Sequence, residues 1–275
     1  MLDFNVFKGG KRHAVTFSYD DGNYEGDKKL IEKLNAHGAK GTFHLNSMYY
    51  RNATEERLEE LRKMYAGHEV AAHTVHHVFL DRIPRTSIYN EVFEDRRRLE
   101  EIFGCIVSGL SYPFGTYNNE VKEALRDCGI VYSRTVESTQ KFTVPSDFLA
   151  WNPTCHHKTA PERADEFIAG LDAKGKHMLF YIWGHTSEFN KDNNWDMLDA
   201  LLDKICGLDN VWYATNIDIY RYKMAQKQLV VSADETIVYN PTDVEVCFRY
   251  GPSIIVPLET VTVRPGETIR LSKDF

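Results

Sequence analysis

Between residues 11 and 224, short runs rich in β-branched and aromatic residues alternate with charged segments whose apolar positions recur at helical spacing. The runs 13–19, 41–45, 69–72, 109–112, 131–134, 178–183 and 211–214 predict strands. Helices are predicted between them. Segment 27–37 carries Leu30, Ile31 and Leu34 on one face with Gly38 as a stop, and 54–66 opens on Thr54 with Leu58 and Leu61 inside. Segments 119–128, ending at Gly129, and 195–205, ending near Gly207, repeat the pattern. Such alternation argues for parallel strands joined by helical crossovers. About seven strands suit a (β/α) barrel better than an open doubly wound sheet.

After residue 227 the helical period is lost. Alternating runs at 229–232, 236–239, 244–250, 253–256 and 260–264 are separated by Asn240-Pro241, Gly251-Pro252 and Pro265-Gly266. The division expected is a barrel over 1–227 and a small all-β appendage over 228–275 that caps it or packs against it.

Composition narrows the function. With 43% hydrophobic and 27% charged residues among 275, the chain is globular, and a net charge of −7 gives no electrostatic reason to bind nucleic acid or an anionic membrane. The basic triplet Arg96-Arg97-Arg98 lies in an acidic helix-like stretch, 90–103, and reads as an ion-paired solvated face. Five cysteines without metal-type spacing read as reduced thiols. No export signal precedes them and no run of about 18 apolar residues crosses a bilayer, so a cytoplasmic location is expected.

Two segments carry candidate chemistry. Phe17-Ser18-Tyr19-Asp20-Asp21-Gly22 sets adjacent carboxylates directly after a strand, and His73-Thr74-Val75-His76-His77 sets two imidazoles four residues apart after another. One carboxylate and two histidines can hold a divalent ion while leaving positions open for water and substrate, and the second carboxylate is then free as a base. Neighbours in an extended segment point opposite ways, so the chain must turn at this point, and Gly22 supplies the freedom. A helical turn over 73–77 would bring the two imidazoles onto one face and point His76 away. Asp20, Asp21, His73 and His185 each follow a strand at its carboxyl end, where parallel barrels gather their working residues.

These residues give the chain its resemblance to polysaccharide deacetylases of the NodB-homology family, carbohydrate esterase family four, over roughly residues 11–220. The family's Thr-Phe-Asp-Asp-Gly element matches Asp20 and Asp21, which the resemblance implies to be general base and metal ligand. Its His-Ser/Thr-x-x-His element implies His73 and His77 as the remaining ligands. The third motif resembles Ser111-Tyr112-Pro113-Phe114-Gly115 without its arginine, and implies an oxyanion role for the Phe114 amide. The fourth resembles Asp147-Phe148-Leu149-Ala150-Trp151 without the aspartate that pairs with that arginine, and Arg134 is the candidate replacement. The fifth resembles Tyr181-Ile182-Trp183-Gly184-His185 and implies His185 as general acid. Tyr112, Trp151 and Trp183 are candidate sugar contacts, the tryptophans equally candidates for the core.

The function so implied is metal-dependent removal of N-acetyl, or secondarily O-acetyl, groups from a saccharide, with metal-held water as nucleophile. Zinc suits the nitrogen-rich site, and cobalt, nickel or manganese could substitute. Two alternatives keep the fold: hydrolysis of a small cyclic amide or ureide, and carbohydrate binding without catalysis, suggested by Ser111 and Ala150. A non-haem iron oxygenase shares the ligand set but leaves Asp20 without a task.

Overall fold

The computed structural model of the protein describes residues 1–173, 175–252 and 258–272. In chain order its strands and helices begin β1 (Leu2–Asp3), β2 (His13–Asp20), α1 (Tyr24–Ala36), β3 (Gly41–Leu45), α2 (Glu55–Tyr65), β4 (Glu69–Ala72) and α3 (Arg85–Phe103). They continue with β5 (Gly109–Ser111), α4 (Asn119–Asp127), β6 (Tyr132–Arg134), β7 (Cys155–His156), α5 (Ala160–Gly170), β8 (Met178–His185), α6 (Thr186–Asp192) and α7 (Trp195–Ile205). Last come β9 (Val211–Tyr213), α8 (Asn216–Gln228), β10 (Val230–Val231), β11 (Ile237–Tyr239), β12 (Val246–Tyr250), β13 (Glu259–Val263) and β14 (Thr268–Arg270).

The large sheet runs β6-β5-β4-β3-β2-β8-β7, with β9 beside the start of β2, and every pairing is parallel. Its eight strands are one more than the pattern predicts, because β7 has only two residues and no alternation to read. A parallel bridge from Arg134 to Trp151 ties β6 to the segment leading into β7, so the sheet curls into a distorted barrel. Side-chain alternation makes two apolar layers. Val15, Phe17 and Phe180 face the helices, whereas Ala14, Leu179, Tyr181, Tyr132 and Trp151 fill the barrel.

Local chemistry fixes the helix ends. Asn23 accepts the Gly26 amide and starts α1 three residues before the apolar periodicity does, while Thr54 caps α2 as its position predicts. Arg96, Arg97 and Arg98 pair with Glu94, Glu100 and Glu101 along α3, the solvated face expected of them. The five cysteines are free thiols. Among the described residues no helix is long and apolar enough to cross a membrane.

Among the described residues the appendage forms two three-stranded antiparallel sheets, β1-β12-β13 and β10-β11-β14, around Val238, Phe248, Tyr250 and Val263. The chain start joins it, since Leu2 and Asp3 pair with Tyr250 and Arg249. It packs on α8, where Tyr222 and Gln226 bond the backbone of Cys247. The strand expected at 253–256 lies outside the described residues.

Candidate active site

Strand register assembles the site. Asp20 at the end of β2 lies opposite His44 on β3 and His185 on β8, so three polar side chains share one level of the barrel rim. Leu45 pairs with Ala72, which puts His73 just past the β4 terminus, and Ser111 at the end of β5 pairs with Arg134 on β6.

Past these strand ends the backbone is strained. Asp21, Thr74, His77 and Phe114 all have positive φ, at 73°, 65°, 52° and 59°. For a β-branched residue such as Thr74 this is costly, by about 1–3 kcal/mol, and it persists only where surroundings enforce it. Here they do. Asn46 donates to the carbonyls of His73 and Thr74 at 2.6 and 2.9 Å, and the Asp95 carboxylate accepts the His73 and Ser47 amides at 2.9 and 2.7 Å. The turn after β2 therefore begins at Asp21 itself, with Gly22 following at φ 63°. The helical turn expected over 73–77 is absent, because Thr74 and His77 break it, yet the two imidazoles still meet with ring centroids 4.8 Å apart. His76 turns outward to Glu91, as expected.

Asp21, His73 and His77 converge. The Nε2 atoms of His73 and His77 lie 3.5 and 3.7 Å from the same oxygen, Oδ1 of Asp21. Metal–ligand bonds of about 2.1 Å in a tetrahedron give ligand separations of about 3.4 Å, so the donor set fits a zinc-sized ion. The His73 Nδ1–H donates to the Ser111 carbonyl at 2.8 Å, which directs its Nε2 lone pair at Asp21, and burial pushes this imidazole down to about 3, keeping it neutral.

Asp20 sits behind this trio, buried. Burial alone would raise its carboxyl, but the Arg134 guanidinium, bonded to Oδ2, together with His73 and His44 holds it well below the usual range. Ser111 Oγ donates to Oδ1 at 3.0 Å and His44 Nδ1 lies 3.3 Å from the same atom. Arg134 thus acts where the third motif has no arginine, from the neighbouring strand. It is wholly buried, lies 4.4 Å above the Trp183 ring, and also bonds the Thr135 carbonyl. Among the described residues Asp20 is its only ion-pair partner, so the absence of a carboxylate at Ala150 strands no charge.

His185 Nε2 is 3.8 Å from Asp21 Oδ2, and its Nδ1 is 3.4 Å from Glu188 Oε1 on α6. The Phe114 ring is 48% exposed, stacks on Phe79 at 3.8 Å and meets His77 edge-on at 4.5 Å, forming an aromatic wall beside the cluster. Two expected sugar contacts are corrected. Trp151 has no exposed surface and fills the barrel against Tyr132, Phe148 and Tyr181, and Tyr112 is buried with its hydroxyl on the Leu149 carbonyl. Trp183 is 8% exposed and serves chiefly as a floor beneath Arg134. The motifs do not single out His44, Phe79 or Glu188. Only the place of His44 after a strand signals it.

Fold and site together define a parallel α/β barrel with two imidazoles and one carboxylate, placed so that they could hold a metal ion, at the carboxyl ends of its strands. The model of the polysaccharide deacetylase family, the family that the motifs resemble, matches residues 8–133. A chitin deacetylase of Arthroderma benhamiae is 27% identical over 120 residues, which is 42% of this chain and 31% of that protein. The matched stretch thus spans less than a third of that relative. A solved structure from Mycobacterium smegmatis, assigned as a polysaccharide deacetylase, superposes with a TM-score of 0.62 at 18% identity over 82% of this chain and 96% of the other. The Xyl-CE4 domain of a multidomain xylanase from a Trinervitermes trinervoides hindgut metagenome gives 0.53 at 17% identity over 78% and 92%. At such identities the structures speak for the fold.

Proposed function

We propose that the protein is a metal-dependent hydrolase that removes N-acetyl groups from a saccharide, with Asp21, His73 and His77 holding the ion. The observation that carries this reading is the convergence of those three side chains with a separately buried carboxylate, paired with Arg134, beside them. A bound divalent ion would supply Lewis acidity, polarising the acyl carbonyl and acidifying the attacking water.

Asp20 takes the proton from that water. Held so far below the usual carboxylate range, it is a weak base, and its task suits only a water already made acidic. Arg134, Ser111 and His44 keep it ionised and fixed in direction. The amide of Phe114, in a strained turn beside His77, is the oxyanion donor, and its ring with Phe79 offers a sugar-sized apolar face. His185, braced by Glu188, returns a proton to the departing nitrogen.

Acetate release from N-acetylglucosamine oligomers tests the reading. Asp20→Asn should retain metal and lose turnover, by about 10²-fold or more for a general base, whereas His73→Ala should lose the metal itself. Full activity of Asp20→Asn would refute the assignment of the base, and failure of every acetylated saccharide would refute the substrate class.

A further inference from the structure

A second convergence of side chains lies on the far side of His185. Strand β7 ends at His156, His157 follows in a tight turn, and Glu188 projects from the first turn of α6. The Nε2 atoms of His156 and His157 approach one oxygen, Oε2 of Glu188, at 3.1 and 3.3 Å. Hydrogen bonding does not account for this. Glu188 Oε2 and both ring nitrogens of His157 are buried without a hydrogen-bond partner. The separations instead match the edge of about 3.4 Å expected between ligands of a tetrahedral ion with bonds of about 2.1 Å. The arrangement reproduces that of Asp21, His73 and His77, two imidazole nitrogens aimed at one carboxylate oxygen.

The surroundings hold His157 in place. It is fully buried, stacks on Phe189 at 4.3 Å and lies 5.9 Å from Tyr19. A Cβ at position 184 would fall 2.0 Å from its Nδ1, so the ring occupies space that only a glycine leaves open. Burial pushes its imidazole down to about 2, which leaves a lone pair available to a ligand. Two contacts oppose an ion here. The Lys158 ammonium is 3.7 Å from Glu188 Oε2, but it is closer to Asp192, at 2.8 Å, and its side chain is 45% exposed and free to swing out. The Lys158 amide donates to His156 Nδ1 at 3.3 Å, a long contact that is given up when coordination at Nε2 moves the ring proton to Nδ1.

We infer that His156, His157 and Glu188 form a second divalent-cation site, of the zinc class, sharing no ligand with the first. His185 links the two, with Nε2 toward Asp21 Oδ2 and Nδ1 toward Glu188 Oε1, the carboxylate oxygen that an ion on Oε2 leaves to it. The inference goes beyond the proposed activity and stands on its own residues.

Metal-free protein titrated with Zn²⁺, with stoichiometry read by calorimetry and by elemental analysis after dialysis, tests it. The expected result is two equivalents for the unaltered protein, one for Glu188→Gln and one for the partly exposed His156→Asn, each with an unchanged circular dichroism spectrum. His73→Ala should also bind one, and His73→Ala combined with Glu188→Gln none. A single equivalent in the unaltered protein, kept by Glu188→Gln and lost in His73→Ala, would overturn the second site while upholding the first. A single equivalent lost in Glu188→Gln and kept in His73→Ala would uphold the second site and refute the first.

Discussion

Replacing Arg134 by glutamine perturbs the site at the contact that the motifs place elsewhere. The guanidinium and the Asp20 carboxylate are both buried and bonded to one another, and Arg134 has no second carboxylate among the described residues. At an effective dielectric near 20, unit charges about 4 Å apart attract by about 4 kcal/mol. Removing one member of a buried pair typically costs about 3–5 kcal/mol, chiefly because the other is left charged and dry. Arg134→Gln should therefore lose roughly that much stability at neutral pH, and Asp20→Asn a comparable amount by stranding the guanidinium. The double variant should lose little more than either, a coupling of about 3 kcal/mol or more. Urea unfolding of metal-free protein measures this without interference from a bound ion.

The sign with pH is also fixed. In the unaltered protein the depressed Asp20 contributes stability that is present above its unfolded value near 3.9 and lost as pH falls through the folded one. In Arg134→Gln, burial acts without its main counterweight and raises the carboxyl, so protonation on acidification relieves the variant. The stability gap should narrow between pH 7 and pH 4. Additive effects of the two substitutions within about 0.5 kcal/mol, or a gap that widens on acidification, would refute the pairing.

Asn46→Ala removes two of the bonds that hold the strained His73-Thr74 turn, and should weaken zinc affinity about 10- to 100-fold, as loss of a supporting contact around a metal does; competition with a chromophoric chelator reads this, and unchanged affinity would contradict it. Phe114→Ala keeps the backbone amide but removes the exposed ring, so KM for an oligosaccharide should rise while kcat stays within about twofold, and a collapse of kcat alone would show the ring to act on the reaction rather than on binding. Lys223, buried against the Val6 carbonyl and Gln226, has its ammonium pushed down to about 7. Because the unfolded chain holds that proton to about pH 10.4, stability should rise between pH 7 and pH 10 by at most roughly 5 kcal/mol. Lys223→Met should flatten the rise, and equal pH slopes for the two proteins in urea melts would sink the argument.

The barrel was legible because its strands are long enough to alternate and its helices carry a regular apolar stripe. Strand β7 escapes because its two residues have no period, and β14 because Thr268–Arg270 follows a Pro-Gly break with only one apolar residue. The convergence of Asp21, His73 and His77 was legible in the sequence, but the local shape of one half was not. Spacing of four suggests a helical turn, whereas the positive φ at Thr74 is held by Asn46 and Asp95, tertiary partners invisible to a local pattern. Trp151 takes the core alternative and Tyr112 is buried as well, for a related reason. Both stand next to motif residues, and in a barrel one side of a strand faces the filled interior, so proximity along the chain does not place an aromatic ring in the groove.

The arginine shows what sequence order conceals and strand register reveals. In a parallel sheet, side chains on neighbouring strands at one level are close in space whatever their separation along the chain, and Ser111 and Arg134 are such a pair. A cation delivered from β6 can therefore reach the carboxylate at the end of β2 as well as one from β5, while the serine left on β5 supplies a hydrogen bond of its own. The same geometry explains why Ala150 does no harm. The Arg134 charge is neutralised by Asp20 and lies against the Trp183 ring, so no second carboxylate is needed to hold it in a dry interior. What the proposed chemistry requires is positive charge fixed against Asp20, and the chain position from which it comes is free to move between adjacent strands.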